Sequence, residues 1–235
     1  MINMKNSKLD KIWNKHANQE LYKNYDFSLK NIKKSDDYNT QWILKLSRQK
    51  KGKKLLDAGC GIGYFITMAR KLGLKAEGID ISPEAVKIAK KRGEKVTFGD
   101  LRKMSFKNNS FDIVLAEGSI EHFPETEKAL EEILRVLKPK GIFIGNVPNK
   151  YTLFTLNKII QQILGIWKCG YEKSFTKSKL VRMLEKNFII IEMQKSKIAI
   201  GSRHPIITKI LRETDSFLML FGFGGAHHYF YCIKK

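Results

Sequence analysis

Three acids recur at matching places along the chain, each at or beside the end of a short apolar run: Asp57, Asp80 and Asp100. The first is followed by glycine at every second position, Gly59, Gly61 and Gly63, with Cys60 and Ile62 between them. Glycine at that density serves a backbone that turns sharply and lets a ligand come close. A helix opening there would turn its free N–H groups toward that ligand. A dinucleotide turn reads G-x-G-x-x-G. Gly59 and Gly61 fit it, but Tyr64 stands in the third glycine's place and Gly63 comes one position early. An acid about twenty residues beyond such a turn, here Asp80, can accept both hydroxyls of a ribose, and Ile81 beside it can pack on a base. Asp100 can accept an exocyclic amine, with Leu101 against the ring. A further group, Glu117, Glu121 and His122, supplies candidate general bases. Each acid alone is better explained by turn chemistry, or for Asp57 by bracing of the loop, so the weight rests on their joint placement.

The elements that must hold them are legible in the pattern. Apolar runs at 54–58, 75–80, 95–98, 111–116 and 142–147 read as strands one to five. Amphipathic stretches between them read as helices: one opening at Gly63 and closed by Gly73, one from Ser82-Pro83-Glu84 to Arg92, and one over 125–138 ended by Pro139 and Gly141. Strands alternating with helices imply a parallel sheet with right-handed crossovers. Ligands of such sheets bind beyond the carboxyl ends of the strands, where the three acids fall. A strand at 188–193 and a closing strand at 226–233 complete the pattern. Residues 1–52 read as a helical cap, with one helix over 8–25 and a second holding Trp42, Ile43 and Leu46. Residues 150–187 and 198–225 read as lids on a single domain of 1–235, whose cofactor core is 53–149. Leu153, Leu156, Ile160, Ile163, Leu164 and Trp167 mark an apolar helix, expected to pack on the sheet and the second lid.

Composition sets the outer limits. The chain has 235 residues, 43% of them hydrophobic, which is ordinary for a globular protein. No uninterrupted apolar run is long enough to span a bilayer, and the polar, basic start is not a signal peptide. Three widely spaced cysteines, Cys60, Cys169 and Cys232, suggest neither a disulfide framework nor a zinc cluster, and point to a reducing, cytoplasmic compartment. The net charge of +21 suits RNA, an anionic substrate or an anionic membrane surface. It is also what a solvated lysine-rich surface looks like.

The stretches LLDAGCGIGYF, GIDIS, FGDL, FDIVLAEGSIEHF and LEEILRVLKPKG, then GIFIGNVPN, resemble the successive motifs of the class I S-adenosylmethionine (SAM)-dependent methyltransferases, in the type 11 group that includes ubiquinone-type enzymes. The resemblance is close over 53–149 and looser to Phe188. It implies an α/β Rossmann-like, doubly wound sheet of seven strands, mostly parallel, with the last antiparallel. It implies that Asp57, Gly59, Cys60, Gly61 and Gly63 surround the methionine part of SAM. Asp80 and Ile81 would serve the ribose and adenine, Asp100 and Leu101 the adenine, and the backbone at Glu117 the methionine amine. The expected reaction is methyl transfer to a small-molecule acceptor, apolar or lipid-linked, with His122 as base or substrate contact. His204, His227 and His228 are further candidates. RNA is the alternative acceptor, though no Arg/aromatic platform is visible, and a non-catalytic SAM-binding protein is the third reading. The apolar 153–167 helix also suits peripheral membrane contact. The E-x-x-E-H metal pattern of some relatives is broken, with Gly118 three places before Glu121, so no metal is expected.

Overall fold

The computed structural model describes residues 28–49, 51–167, 170–196, 213–214, 217 and 224–235. The helix expected over 8–25, Cys169, His204 and most of 198–225 lie outside these residues. Seven strands form one sheet: β1 (Lys54–Ala58), β2 (Lys75–Asp80), β3 (Val96–Phe98), β4 (Phe111–Glu117), β5 (Leu137–Pro148), β6 (Phe188–Lys195) and β7 (His227–Lys234). Their spatial order is β3-β2-β1-β4-β5-β7-β6. The first five run parallel, and β7 lies antiparallel between β5 and β6. The order reverses between β1 and β4, so the crevice outside their carboxyl ends is the switch point at which such sheets hold ligands.

Helices cover both faces. α2 (Tyr38–Gln49), α3 (Tyr64–Lys71) and α4 (Pro83–Lys91) pack on one side, where Trp42, Ile43, Ile66, Met68 and Val86 meet Leu55, Ile113 and Ile144 of the sheet. The other side takes α5 (Thr126–Val136) and α7 (Lys177–Glu185), with Ile133, Leu180 and Leu184 against Leu56, Val114, Phe143 and Phe230. Neighbouring sheet residues thus point to opposite cores, which is why β1 and β4 read as continuous apolar runs. A short helix, α1 (Leu29–Lys34), precedes α2 and is capped by the Ser28 hydroxyl. Ser82 caps α4 in the same way, with Pro83 in its first turn.

Two expectations about elements need correction. The helix expected over 125–138 stops at Val136, and Leu137 already pairs with Phe111 as the first residue of β5. Pro139 bars its predecessor from helical backbone, and the chain turns into the strand one residue earlier still. The apolar helix, α6 (Leu153–Ile163), ends short of Trp167, with Gly165 left-handed just beyond it. Leu156, Ile159, Ile160, Ile163 and Leu164 are exposed and do not pack on the sheet. Among the described residues no helix is long and apolar enough to cross a membrane.

Candidate functional site

The glycine turn folds back on β2. The N–H groups of Gly59 and Cys60 both donate to the Ile79 carbonyl, at 2.8 and 3.1 Å. Gly59 has φ +88°, and a Cβ there would come within 2.5 Å of the Ser119 Cβ. Gly61 is also left-handed, yet a Cβ on it would meet nothing within 4 Å, so its open side faces free space. Its N–H donates to Asp80 Oδ2 at 2.7 Å, while Asp80 Oδ1 accepts from the Ser82 N–H at 2.8 Å. Asp80 therefore ties the turn after β1 to the turn after β2. Gly63, at φ 86°, is the residue before the first turn of α3 and supplies no side-chain cap, which leaves that helix end without one. Cys60 turns away from this space. Its Sγ lies where a Cβ on Gly78 would come within 2.6 Å, so it packs against β2 in the core.

Gly59, Asp80, Ile81, Leu101, Gly118, Ser119, His122 and Phe123 line a half-open cleft at the switch point. The structure thus gathers five of the singled-out residues, Gly59, Asp80, Ile81, Leu101 and His122, around one space. Asp57, Cys60, Gly61 and Gly63 build the turn beside it. Asp100 is not in the lining: Arg102 grips its carboxylate, with Nη2 2.7 Å from Oδ2 and Nε 3.1 Å from both oxygens, and the Arg102 N–H adds a bond at 2.8 Å. Glu117 ends β4 with its carboxylate held by the Asn146 amide at 2.8 Å and by the Asn39 amide of α2. Ser119 and Gly118 complete the wall, and the Ser119 hydroxyl donates to the Ala58 carbonyl at 2.8 Å, bridging β1 and β4. Ser119 and Asn39 were not picked out from the sequence. The E-G-S run directly after strand four was a usable signal for Ser119, whereas nothing local marks Asn39.

The electrostatics favour a positively charged occupant. Burial and the neighbouring Asp80 charge push the Asp57 carboxyl up to about 8, and its Oδ2 is buried without a hydrogen-bond partner. Burial, then the nearby Asp37, pushes Glu117 up to about 8, against the opposing effect of its two amide donors. Asp80 is raised by burial in spite of three backbone hydrogen bonds. Glu121 is 2% exposed and also held well above the carboxylate range by burial. A cation entering here would be met by carboxyls whose ionisation it favours.

His122 sits in the three-residue 3-10 turn Ile120–His122 that follows β4. Its Nδ1 lies 2.9 Å from the Tyr171 carbonyl. A carbonyl only accepts, so Nδ1 carries the proton and Nε2 is the basic nitrogen. Of the alternative histidines, neither His227 nor His228 lines the cleft. His228 is buried, and that burial pushes it down to about 4.

With this geometry in view, likenesses to known proteins fall into place. A family model described as "Methyltransferase domain" matches residues 56–145, from inside β1 to inside β5. Norajmaline N-methyltransferase of Rauvolfia serpentina is 42% identical over 99 residues, covering 38% of this chain and 34% of that protein. The sterol 4-C-methyltransferase strm-1 of Caenorhabditis elegans is 28% identical over 166 residues, covering 63% of this chain and 48% of that protein. The chain thus spans about a third to a half of the length of these curated relatives. The solved S-adenosylmethionine-dependent methyltransferase of Mesorhizobium loti shares the fold at a TM-score of 0.63 and 15% identity, over 84% of this chain and 98% of that one. Residues 56–145 thus match a methyltransferase domain, and over this core the chain is similar to SAM-dependent methyltransferases.

Proposed function

We propose that this chain transfers the methyl group of SAM to a small-molecule acceptor in the cytoplasm. The observation that carries the reading is the pairing of Asp80, which closes the glycine turn, with the partnerless Asp57 Oδ2 beside it at the switch point. SAM bears a sulfonium and an ammonium but no phosphate, so it asks for acids rather than for lysines around the turn. The residues present fit it. Asp57 would face the methionine ammonium, and the open side of Gly61 would admit the methionine chain. Asp80 keeps lone pairs for the ribose hydroxyls. Ile81 and Leu101 would sandwich adenine. Asp100 would reach the adenine amine only by exchanging Arg102, and otherwise shapes the turn that presents Leu101.

SAM supplies an activated methyl: the methyl–sulfur bond breaks as the acceptor–methyl bond forms, and S-adenosylhomocysteine leaves. The protein then has to align, desolvate and take up a proton. His122 Nε2 would accept the proton of an acceptor hydroxyl or ammonium, with Nδ1 anchored on Tyr171. Two relatives are named for norajmaline and sterol acceptors, which supports an apolar acceptor, as does the exposed apolar surface of α6.

Calorimetry with SAM, and methyl-labelled SAM incubated with separated RNA, protein, lipid and small-molecule fractions of a cell extract, test the reading. Expected are SAM binding, its loss by at least about a hundredfold in Asp80→Ala as two charge-assisted ribose bonds go, and label in the lipid or small-molecule fraction. Unchanged binding in Asp80→Ala would overturn the site. Binding without label in any fraction would leave a SAM-binding protein that is not an enzyme.

A further inference from the structure

α6 is built inside out. Its inward side is polar: Thr155 and Lys158 are buried, as is Thr152, the residue that caps the helix. Lys158 Nζ lies 3.0 Å from Glu172 Oε1 and 2.6 Å from Ser174 Oγ. Its outward side is apolar, with Leu156, Ile159, Ile160, Ile163 and Leu164, and Ile166 just beyond, each 45–80% exposed. Lys158 is the only charged residue of the helix, so no charge interrupts that face. A helix on a globular protein normally turns its apolar stripe inward, and a continuous exposed apolar patch marks a contact surface.

We propose that this face of α6 lies on an anionic lipid surface and brings the cleft to amphiphilic acceptors carried there; the acceptor half of this rests on the methyl-transfer reading. Charge selects the occupant. From 150 to 179 the chain has six lysines and a single acid, Glu172, and that acid is buried against Lys158. Lys150, just before the helix, and Lys177 and Lys179, a few residues after Glu172, are exposed. Tyr151 and Tyr171, each about half exposed, stand before and after the helix, as aromatic residues do at headgroup depth. Apolar side chains would enter the acyl boundary while the lysines meet anionic headgroups. At 11 residues α6 is roughly 16 Å long, about half a hydrocarbon core, so it lies in the plane of the surface. A second copy of a +21 chain would bring like charge against like.

The contact would bear on the site. Glu172, the partner of Lys158, adjoins Tyr171, whose carbonyl holds His122. The lipid-facing helix and the candidate base are thus tied to one short segment, Tyr171–Glu172.

The test is co-sedimentation of the full chain with vesicles of phosphatidylcholine alone or mixed equally with phosphatidylglycerol. Wild type is compared with an Ile160→Glu/Ile163→Glu double variant, with SAM calorimetry to verify the fold. Wild type should bind the mixed vesicles at least about tenfold more tightly than the neutral ones, and added salt should weaken it. The double variant should lose at least about tenfold while binding SAM as before. Three results would overturn the docking: wild type that ignores both vesicles, a double variant that binds them equally well, or ultracentrifugation showing that the two substitutions instead split a dimer. Vesicle binding with no label transferred to any fraction would keep the docking and refute the methyl-transfer reading. Label in the soluble fraction with no vesicle binding would do the reverse.

Discussion

At Gly59 two demands coincide: a left-handed backbone and a neighbour 2.5 Å from where a Cβ would stand. Gly61 shares the first and lacks the second. Gly59→Ala should therefore cost on the order of 2–4 kcal/mol of folding stability, from backbone strain plus overlap with Ser119. Gly61→Ala should cost about 1 kcal/mol, from strain alone. Denaturant unfolding of the two variants side by side checks the ranking. Asp57 makes a second prediction. Its carboxyl stands at about 8 in the fold, against about 4 in an unfolded chain. Between those values the folded protein holds a proton that the unfolded chain has released. The contribution is fully present below about pH 4 and is lost as pH rises through about 8. Glu117 acts with the same sign. The ligand-free melting temperature should thus fall from about pH 6 to about pH 9, and less steeply in Asp57→Asn, which keeps the shape of the neutral acid. A slope unaltered by that substitution would place the titration elsewhere. At this scale the sequence shows only part of the site, for a physical reason. Asp80 and the glycines were legible because their partners lie in adjacent turns. The Arg102 grip on Asp100 depends on a side-chain rotamer, and the Asn39 bond to Glu117 joins residues 78 apart, so spacing shows neither.

Strand ends were legible at the scale of elements because turn residues mark them: β1 and β2 begin and end where apolar pattern and glycine predict. The outward face of α6 was not, since a 3.6-residue period shows that a helix has an apolar side without showing what covers it. What turns α6 is Lys158. With 4% of its side chain exposed and Glu172 at 9%, the pair is an ion pair removed from water. Lys158→Met should cost about 3–5 kcal/mol because it strands the Glu172 charge. Adding Glu172→Gln should restore much of that loss, since the double variant leaves no buried charge unpaired. Equal losses in the single and double variants, read by denaturant unfolding, would mean that the pair contributes by packing and not by charge.

The whole molecule separates two charge regimes. The chain carries 44 basic and 23 acidic side chains, yet the carboxyls at the cleft, Asp57 and Asp80, are buried. Fields of exposed lysines are screened beyond a Debye length of about 8 Å at physiological salt, and buried groups are screened far less. RNA or any other polyanion should accordingly be retained at low salt, and lose about a thousandfold in affinity between roughly 50 and 200 mM salt if six or more phosphates are contacted. SAM affinity should change less than about threefold over the same range, because its charged partners would be Asp57 and Asp80 beneath the turn and not the lysine surface. The net charge could be read from composition alone, and with it the attraction for anions. Where that charge stops could not, because it depends on which carboxyls the fold buries. Filter binding of labelled RNA and calorimetry with SAM across one salt series measure both slopes. Parallel slopes would mean that the lysine surface reaches into the cofactor site, and RNA would then return as the leading acceptor. Diverging slopes would leave the surface charge to the partner on which the protein sits and the buried acids to the cofactor.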